Sequence, residues 1–274
     1  MNELDAILAS LQLEQIDEHH FRAGNVPVAH GVIFGGQLMG QAIVAAARGQ
    51  EAKLVKTLHI VFARGGSTDQ PVDIEVDPIA VGRSVGSCTV SFRQGGRLFT
   101  RAVLLLTADE PDLIRFTEGG LGPSLSPPRE EEGTGWQVHI EGDVDINDPD
   151  AVGPAELDVW TRFVGAPDDP LISQALLSYA TDGFLIATAM RPHKGIGQAQ
   201  SHQTLSTAVL GHTITFHEPF SASEWMLLAH RSPYAGRGRT YGRADVFRAD
   251  GTFVASFTQD NMIRSRPESA TGVL

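Results

Sequence analysis

A single cysteine among 274 residues leaves no partner for an internal disulfide, so a stapled secretory scaffold is excluded and stability must come from a packed core. That residue, Cys88, sits between Ser87 and Thr89 in an alternating segment and reads as a strand thiol without chemistry. Positive charge is also scarce. The formal net charge is −12, which sets the chain against phosphate-backbone binding, so no nucleic-acid partner is expected. A polyphosphate ligand would still need a local cluster of Arg or Lys. No apolar run reaches the eighteen or so residues of a membrane span, and Met1-Asn2-Glu3-Leu4-Asp5 lacks the basic and apolar regions of a signal peptide. A cytoplasmic protein with no membrane partner is the expectation. What remains is a core-former: 42% of residues are hydrophobic and 20% charged, and the length admits one large domain or two ordinary ones.

Periodic apolar segments fill residues 30–107 and 170–264, whereas 108–169 is dense in Pro, Gly, Asp and Glu, including Pro127-Pro128-Arg129-Glu130-Glu131-Glu132. This divides the chain into a first half, 1–107, an acidic connector, 108–169, and a second half, 170–274. The halves echo one another. Gly82-Arg83-Ser84-Val85-Gly86 is answered by Gly238-Arg239-Thr240-Tyr241-Gly242, each followed by a strand, a glycine turn (Gln94-Gly95-Gly96; Ala249-Asp250-Gly251) and another strand. Upstream, Ile60-Val61-Phe62 matches Ile214-Thr215-Phe216, and each half opens with a helix bearing small residues, Ala45-Ala46-Ala47 and Ala187-Thr188-Ala189, then Arg48 and Arg191. The shared order carries more weight than any one match.

The first helix, about Gly36 to Arg48, places Leu38, Met39, Ala42, Ile43, Val44, Ala45, Ala46 and Ala47 around nearly its whole circumference, the pattern of a helix buried on most sides. Alternation over Val72–Val76, Ser87–Phe92 and Leu98–Leu104 supplies antiparallel strands to enclose it. A sheet wrapped around a central helix is the hotdog arrangement, here expected twice.

Two polar residues stand out against this pattern. A second helix, about Pro170 to Met190, begins after Asp168-Asp169 with proline in its first turn and puts Asp182 in one sector with Leu171, Ala175, Ile186 and Ala189. A carboxylate on an apolar face must be hydrogen-bonded or do work, and placement alone does not separate a working acid from a structural one. On the last strand, about Thr252 to Arg264, Phe253, Ala255, Phe257 and Gln259 share a face. An amide there can orient water or a carbonyl oxygen; its plain alternative is a Gln where the strand turns polar. Ten histidines show no spacing with zinc-like convergence, so neither metal nor cofactor is expected. Arg64, Arg191, Lys194, Arg237 and Arg239 are candidates for phosphate contact, although surface arginines are commonly only solvated.

At these residues the sequence resembles the acyl-CoA thioesterase II (TesB-like) family, over roughly 20–107 and 170–265. The resemblance is carried by Phe34-Gly35-Gly36-Gln37, Leu58-His59, Phe62-Ala63-Arg64-Gly65-Gly66 and Gly82-Arg83-Ser84. In the second half it is carried by Tyr179-Ala180-Thr181-Asp182, Arg191-Pro192-His193, Phe216-His217-Glu218-Pro219-Phe220 with Glu224-Trp225, and Val254-Ala255-Ser256 leading to Gln259. It implies an α+β double hotdog that takes acyl-CoA and hydrolyses the thioester with an Asp, a Thr or Ser, and a Gln around an attacking water; further association of this pseudo-dimer into a homo-oligomer, through strand edges or sheet faces, is also expected. The Asp falls on Asp182 and the Gln on Gln259. The Thr or Ser lands on Val209, and the acid usual before His212 is Gly211. Thr207, two residues from Val209 on the same strand face, is the candidate substitute, though a regular pleat sets it about 7 Å along and a bulge would be needed. Backbone N–H groups of Phe34-Gly35-Gly36 are candidates to polarise the carbonyl. Two rivals share the fold: an acyl-CoA binder without turnover, and a hydratase or dehydratase. The last ordinarily needs an Asp–His pair near one helix, and here no His follows Asp182 until His193.

Overall fold

The computed structural model describes residues 2–28, 30–50, 52–117, 126–129 and 133–266. The first half contains α1 (Glu3–Ser10), β1 (Glu14–Gln15), β2 (His20–Ala23), α2 (Gly35–Ala47), β3 (Leu54–Phe62), β4 (Val72–Val81), β5 (Val85–Gln94) and β6 (Arg97–Thr107). The second contains β7 (Gly135–Ile140), β8 (Glu156–Val164), α3 (Pro170–Thr181), α4 (Leu185–Met190), β9 (Leu205–Phe216), β10 (Met226–Gly236), β11 (Arg239–Arg248) and β12 (Phe253–Ser265). The described strands form one antiparallel sheet in the order β1-β2-β4-β5-β6-β3-β9-β12-β11-β10-β8-β7. Reading outward from the β3–β9 seam, β6, β5, β4 and β2 on one side mirror β12, β11, β10 and β8 on the other. Each half is a hotdog, and the seam joins two copies of the same strand.

The seam's register agrees with the repeat read from the sequence. Matching Ile60 to Ile214 makes His59 the counterpart of Thr213, and these two residues face each other across β3 and β9, as counterparts must near a pseudo-twofold axis. Their side chains meet at 2.7 Å, His59 Nδ1 to Thr213 Oγ1. The bulges repeat as well. In β3, Val55 and Thr57 pair with Leu106 and Leu105 and leave Lys56 unpaired; in β9, Val209 and Gly211 pair with Asn261 and Asp260 and leave Leu210 unpaired.

One shared core is built from α2, α3 and the inward faces of strands from both halves. Every residue of α2 after Gly35 is buried, because α2 is enclosed by sheet on one side and α3 on the other. The two helices approach closely through small residues: Gly40 lies against Ala175, and Gly36 against the Tyr179 backbone. Cys88 is buried in β5, and burial pushes its thiol up to about 11, which keeps it inert.

Three expectations are corrected. The helix expected over 170–190 is interrupted: α3 ends at Thr181, Asp182 is its C-cap and α4 begins only at Leu185. Gly183, a weak helix former, sits in the break. Asp182 therefore does not project from a helical face; it stands at a corner. The stretch 108–169, read from composition as a connector, carries β7 and β8, which extend the second hotdog's sheet through β10. In β8 the alternating Leu157, Val159, Thr161 and Phe163 are buried, a signal overshadowed by the polar residues on either side. The opening helix begins at Gly35, and Arg48 is its C-cap. Of the acidic run, Glu130, Glu131 and Glu132 lie outside the described residues.

A Cβ on Gly36 would stand 2.5 Å from the Tyr179 carbonyl oxygen and 2.8 Å from Tyr179 Cα. Both are backbone, so α2 and α3 would have to separate. Gly36→Ala is expected to cost about 1–3 kcal/mol, seen as a lower Tm in thermal unfolding; an unchanged Tm would contradict this close helix contact.

Candidate active site

The N-terminus of α2 lacks a cap of its own. Phe34, at the N-cap, offers no side-chain acceptor, and the first turn contains no acid. A helix start presents unpaired N–H groups and the positive end of the helix dipole. Both are answered by Asp182 from the other half, whose Oδ2 accepts from Gly36 N–H at 3.0 Å. The break between α3 and α4 aims the carboxylate there, and glycine at position 35 leaves room for it, since a Cβ would lie 2.8 Å from Oδ2. The Phe34-Gly35-Gly36 amides expected to polarise a carbonyl are thus turned, at Gly36, toward Asp182 instead.

Asp182 is 7% exposed. Burial pushes its pKa up to about 7, opposed by the backbone N–H groups of Gly36 and Gly35, which stabilise the anion. A carboxyl with that pKa is poised to take or give a proton near neutrality.

Gln259 faces the same point from β12. Its Nε2 donates to Asp182 Oδ1 at 3.1 Å and lies 3.0 Å from His212 Nδ1. His212, opposite Gln259 in the β9–β12 ladder, is buried and its pKa is driven down to about 3 by burial, so the imidazole is neutral. The Thr181 hydroxyl donates to the Ser178 carbonyl at 2.9 Å, which leaves Thr181 Oγ1 to accept from His212 Nε2 at 3.3 Å. That assigns the ring proton to Nε2 and makes Nδ1 an acceptor. Both N–H bonds of Gln259 are then committed, one to Asp182 and one to His212. The amide cannot flip without losing both, and Gln259 Oε1, buried and without a partner, is held ready to accept from something else. His212 is further fixed by stacking on Phe257, with ring centroids 5.3 Å apart.

The structure thus brings Asp182 and Gln259 together but leaves Thr207 aside. The bulge required for Thr207 exists, at Leu210, and it turns both Val209 and Thr207 inward. Val209 then pairs with Asn261, and Thr207 with Ile263 farther along the ladder. No hydrogen bond joins Thr207 to Asp182 or Gln259 among the described residues. His212 and Thr181 are not among the residues the sequence singles out for the site. Their signal was a buried His on the strand that pairs with Gln259, which needs the register to be seen. Of the cations considered for phosphate contact, Arg191 donates to the Glu156 carbonyl and Arg64 to that of Leu98. Arg237 and Arg239 are exposed at the β10–β11 turn, where Arg239 and His193 line a cavity of about 160 Å³. No His, Cys, Asp and Glu cluster among the described residues fits a metal ion.

A double hotdog with a buried acid–amide pair at the end of a helix from the opposite repeat defines the class, and the comparisons identify the family. Residues 24–108 match the acyl-CoA thioesterase N-terminal domain and residues 120–263 the acyl-CoA thioesterase C-terminal domain; the chain belongs to the acyl-CoA thioesterase family. It is 27% identical to acyl-CoA thioesterase 2 of Haemophilus influenzae over 95% of this chain and 98% of that one. It is 28% identical to human acyl-coenzyme A thioesterase 8 over 94% and 88% respectively. Among solved structures, acyl-CoA thioesterase II TesB2 from Mycobacterium marinum superposes with a TM-score of 0.78 at 27% identity, covering 97% of this chain and all of that one. A protein described as having a hot dog fold, from Alicyclobacillus acidocaldarius, gives 0.74 at 19% identity over 96% of this chain and 99% of its own, which supports the fold.

Proposed function

We propose that the chain hydrolyses acyl-CoA thioesters to free fatty acid and CoA by direct attack of water activated by Asp182. The observation that carries this reading is the fixed Gln259 amide beside a carboxyl whose pKa lies near neutrality. A water at this point donates one proton toward Asp182 and the other to Gln259 Oε1. As its oxygen bonds to the thioester carbon, Asp182 takes the first proton and the carbonyl π pair moves onto oxygen. Collapse of the tetrahedral species breaks the C–S bond, and the departing CoA sulfur receives the proton from Asp182. Every group in this sequence returns to its starting state, and no covalent enzyme intermediate is formed. A hydratase reading has less support, because His212 is bonded to Gln259 and Thr181 and is neutral.

A homo-oligomer and a cytoplasmic location belong to the same proposal. The outer face of β3 and β6 exposes Val61, Val103 and Leu105, an apolar strip suited to a second copy. Among the described residues no helix is long and apolar enough to cross a membrane. Sedimentation velocity is expected to give a multiple of the 29.4 kDa chain mass; a monomer at micromolar concentration would contradict the oligomer.

Release of CoA from a panel of short, medium and long acyl-CoAs tests the activity. Wild type is expected to turn over at least one chain length, and Asp182→Asn to lose about 10²-fold or more in kcat. Because the working form is the ionised carboxylate, wild-type kcat should rise with pH through about 7 and level off above it. Full activity in Asp182→Asn would remove Asp182 from the chemistry, and no turnover with tight binding would favour a binder.

A further inference from the structure

The two hotdogs provide an internal control for which buried side chains the fold requires. In the first, the inward row at the β3–β6 ladder holds Leu58 opposite Leu104 and, past the bulge, Val55 opposite Leu106. All four are buried. In the second, the corresponding positions of the β9–β12 ladder hold His212 opposite Gln259 and, past the matching bulge, Val209 opposite Asn261. Three leucines of one repeat are therefore polar in its twin, while the valine is kept. His212 and Gln259 are explained by the hydrogen-bond chain to Asp182. Asn261 is not: it is 0% exposed, and neither Oδ1 nor Nδ2 has a partner. A buried amide with nothing to bond is destabilising, and the twin shows that a leucine fills this place. Packing therefore does not account for the asparagine.

Its position supplies the account. Asn261 is two residues beyond Gln259 on the same face of β12, about 7 Å along. Thr240, its neighbour on β11, also has an unpaired buried hydroxyl. Thr240 and Ile263, which flank Asn261 across and along the sheet, line the cavity that carries Arg239 and His193. The row thus runs from an open cavity to the reacting carboxylate, and between them stand the wholly unpaired amide of Asn261 and the free Oε1 of Gln259. Gln259 can offer only an acceptor, Oε1, and that suits a water proton. A thioester carbonyl can only accept, so it needs a donor, and the glycine amide at position 36 is already given to Asp182.

Resting on the thioesterase reading, we propose that Asn261 is a catalytic residue whose Nδ2–H donates to the thioester carbonyl oxygen, the atom that becomes anionic when water attacks. In that step the new C–O bond forms from water, the carbonyl pair moves to the oxygen held by Asn261, the water proton goes to Asp182, and collapse then expels the CoA sulfur. The polar contact absent at Val209 is supplied from the strand directly opposite.

The test is Asn261→Leu, the residue its twin position carries, beside Asn261→Ala, which only shortens the side chain. Both are compared with wild type and Asp182→Asn for CoA release, for binding of a non-hydrolysable acyl-CoA thioether, and for Tm. Asn261→Leu is expected to keep or raise Tm, to bind the thioether within about threefold of wild type and to lose about 10²-fold in kcat, with Asn261→Ala losing as much. If either folded variant retains kcat within twofold while Asp182→Asn is inactive, Asn261 has no part in the chemistry and the proposal falls alone. If both variants lose kcat only together with a large fall in Tm, Asn261 belongs to the packing and the proposal is likewise overturned. If Asp182→Asn is itself fully active, the site reading fails rather than this one.

Discussion

The second hotdog caps the helix of the first. Asp182 gives its carboxylate to an α2 N-terminus that has no acceptor of its own, and much of the site follows from that contact. It couples the repeats through a carboxyl in a place too dry for charge, where burial raises the pKa and the Gly36 and Gly35 N–H groups hold part of that rise back, and it sits where a Cβ at position 35 would strike the carboxylate and one at 36 the Tyr179 backbone. The energetic consequence has a definite sign. A carboxyl whose folded pKa lies above its unfolded value contributes stability that is complete below about pH 4 and is lost as pH rises through about 7. The ionised form is the one the proposed hydrolysis would use, and it is the form the fold holds less well.

Duplication divides the labour. The first hotdog keeps the inward row apolar, with Leu58, Leu104 and Leu106, while the second places His212, Gln259 and Asn261 at the same positions. A single chain can do this where two identical subunits cannot: one repeat supplies a helix end and a packed wall, the other the polar groups of the candidate site. Neutral His212 acts here as a positioning residue. It fixes which end of the Gln259 amide faces Asp182, and therefore that what remains free on Gln259 is an acceptor, Oε1.

Much of this was legible in the sequence. The echo of Gly82-Arg83-Ser84 by Gly238-Arg239-Thr240 and of Ile60 by Ile214 showed two like halves, and the register of the seam, seen only in the ladder, agrees with it. Apolar periodicity marked Asp182 and Gln259 as misplaced polar groups. Other parts depend on pairing that one strand's pattern does not contain. Alternation along β9 fails at the Leu210 bulge, so the inward set changes from His212 to Val209 and Thr207, and only the ladder shows which of these meets which. β8 was hidden by its polar flanks, and the corner at Asp182 by a helical period that continues, on paper, into α4. Asn261 lies on the face of Gln259 by simple alternation, yet a sequence does not show that both N–H bonds of one amide are committed while the next amide has no partner at all.

The central claim is that Asp182 is held, buried, at the edge of ionisation by the helix end of the opposite repeat. Its most direct test is a pH titration of the Asp182 carboxyl carbon by ¹³C NMR in protein labelled at aspartate, with the resonance assigned by its loss in Asp182→Asn. The account predicts a midpoint near 7. A midpoint at about 4, the value of a solvated aspartate, would contradict it.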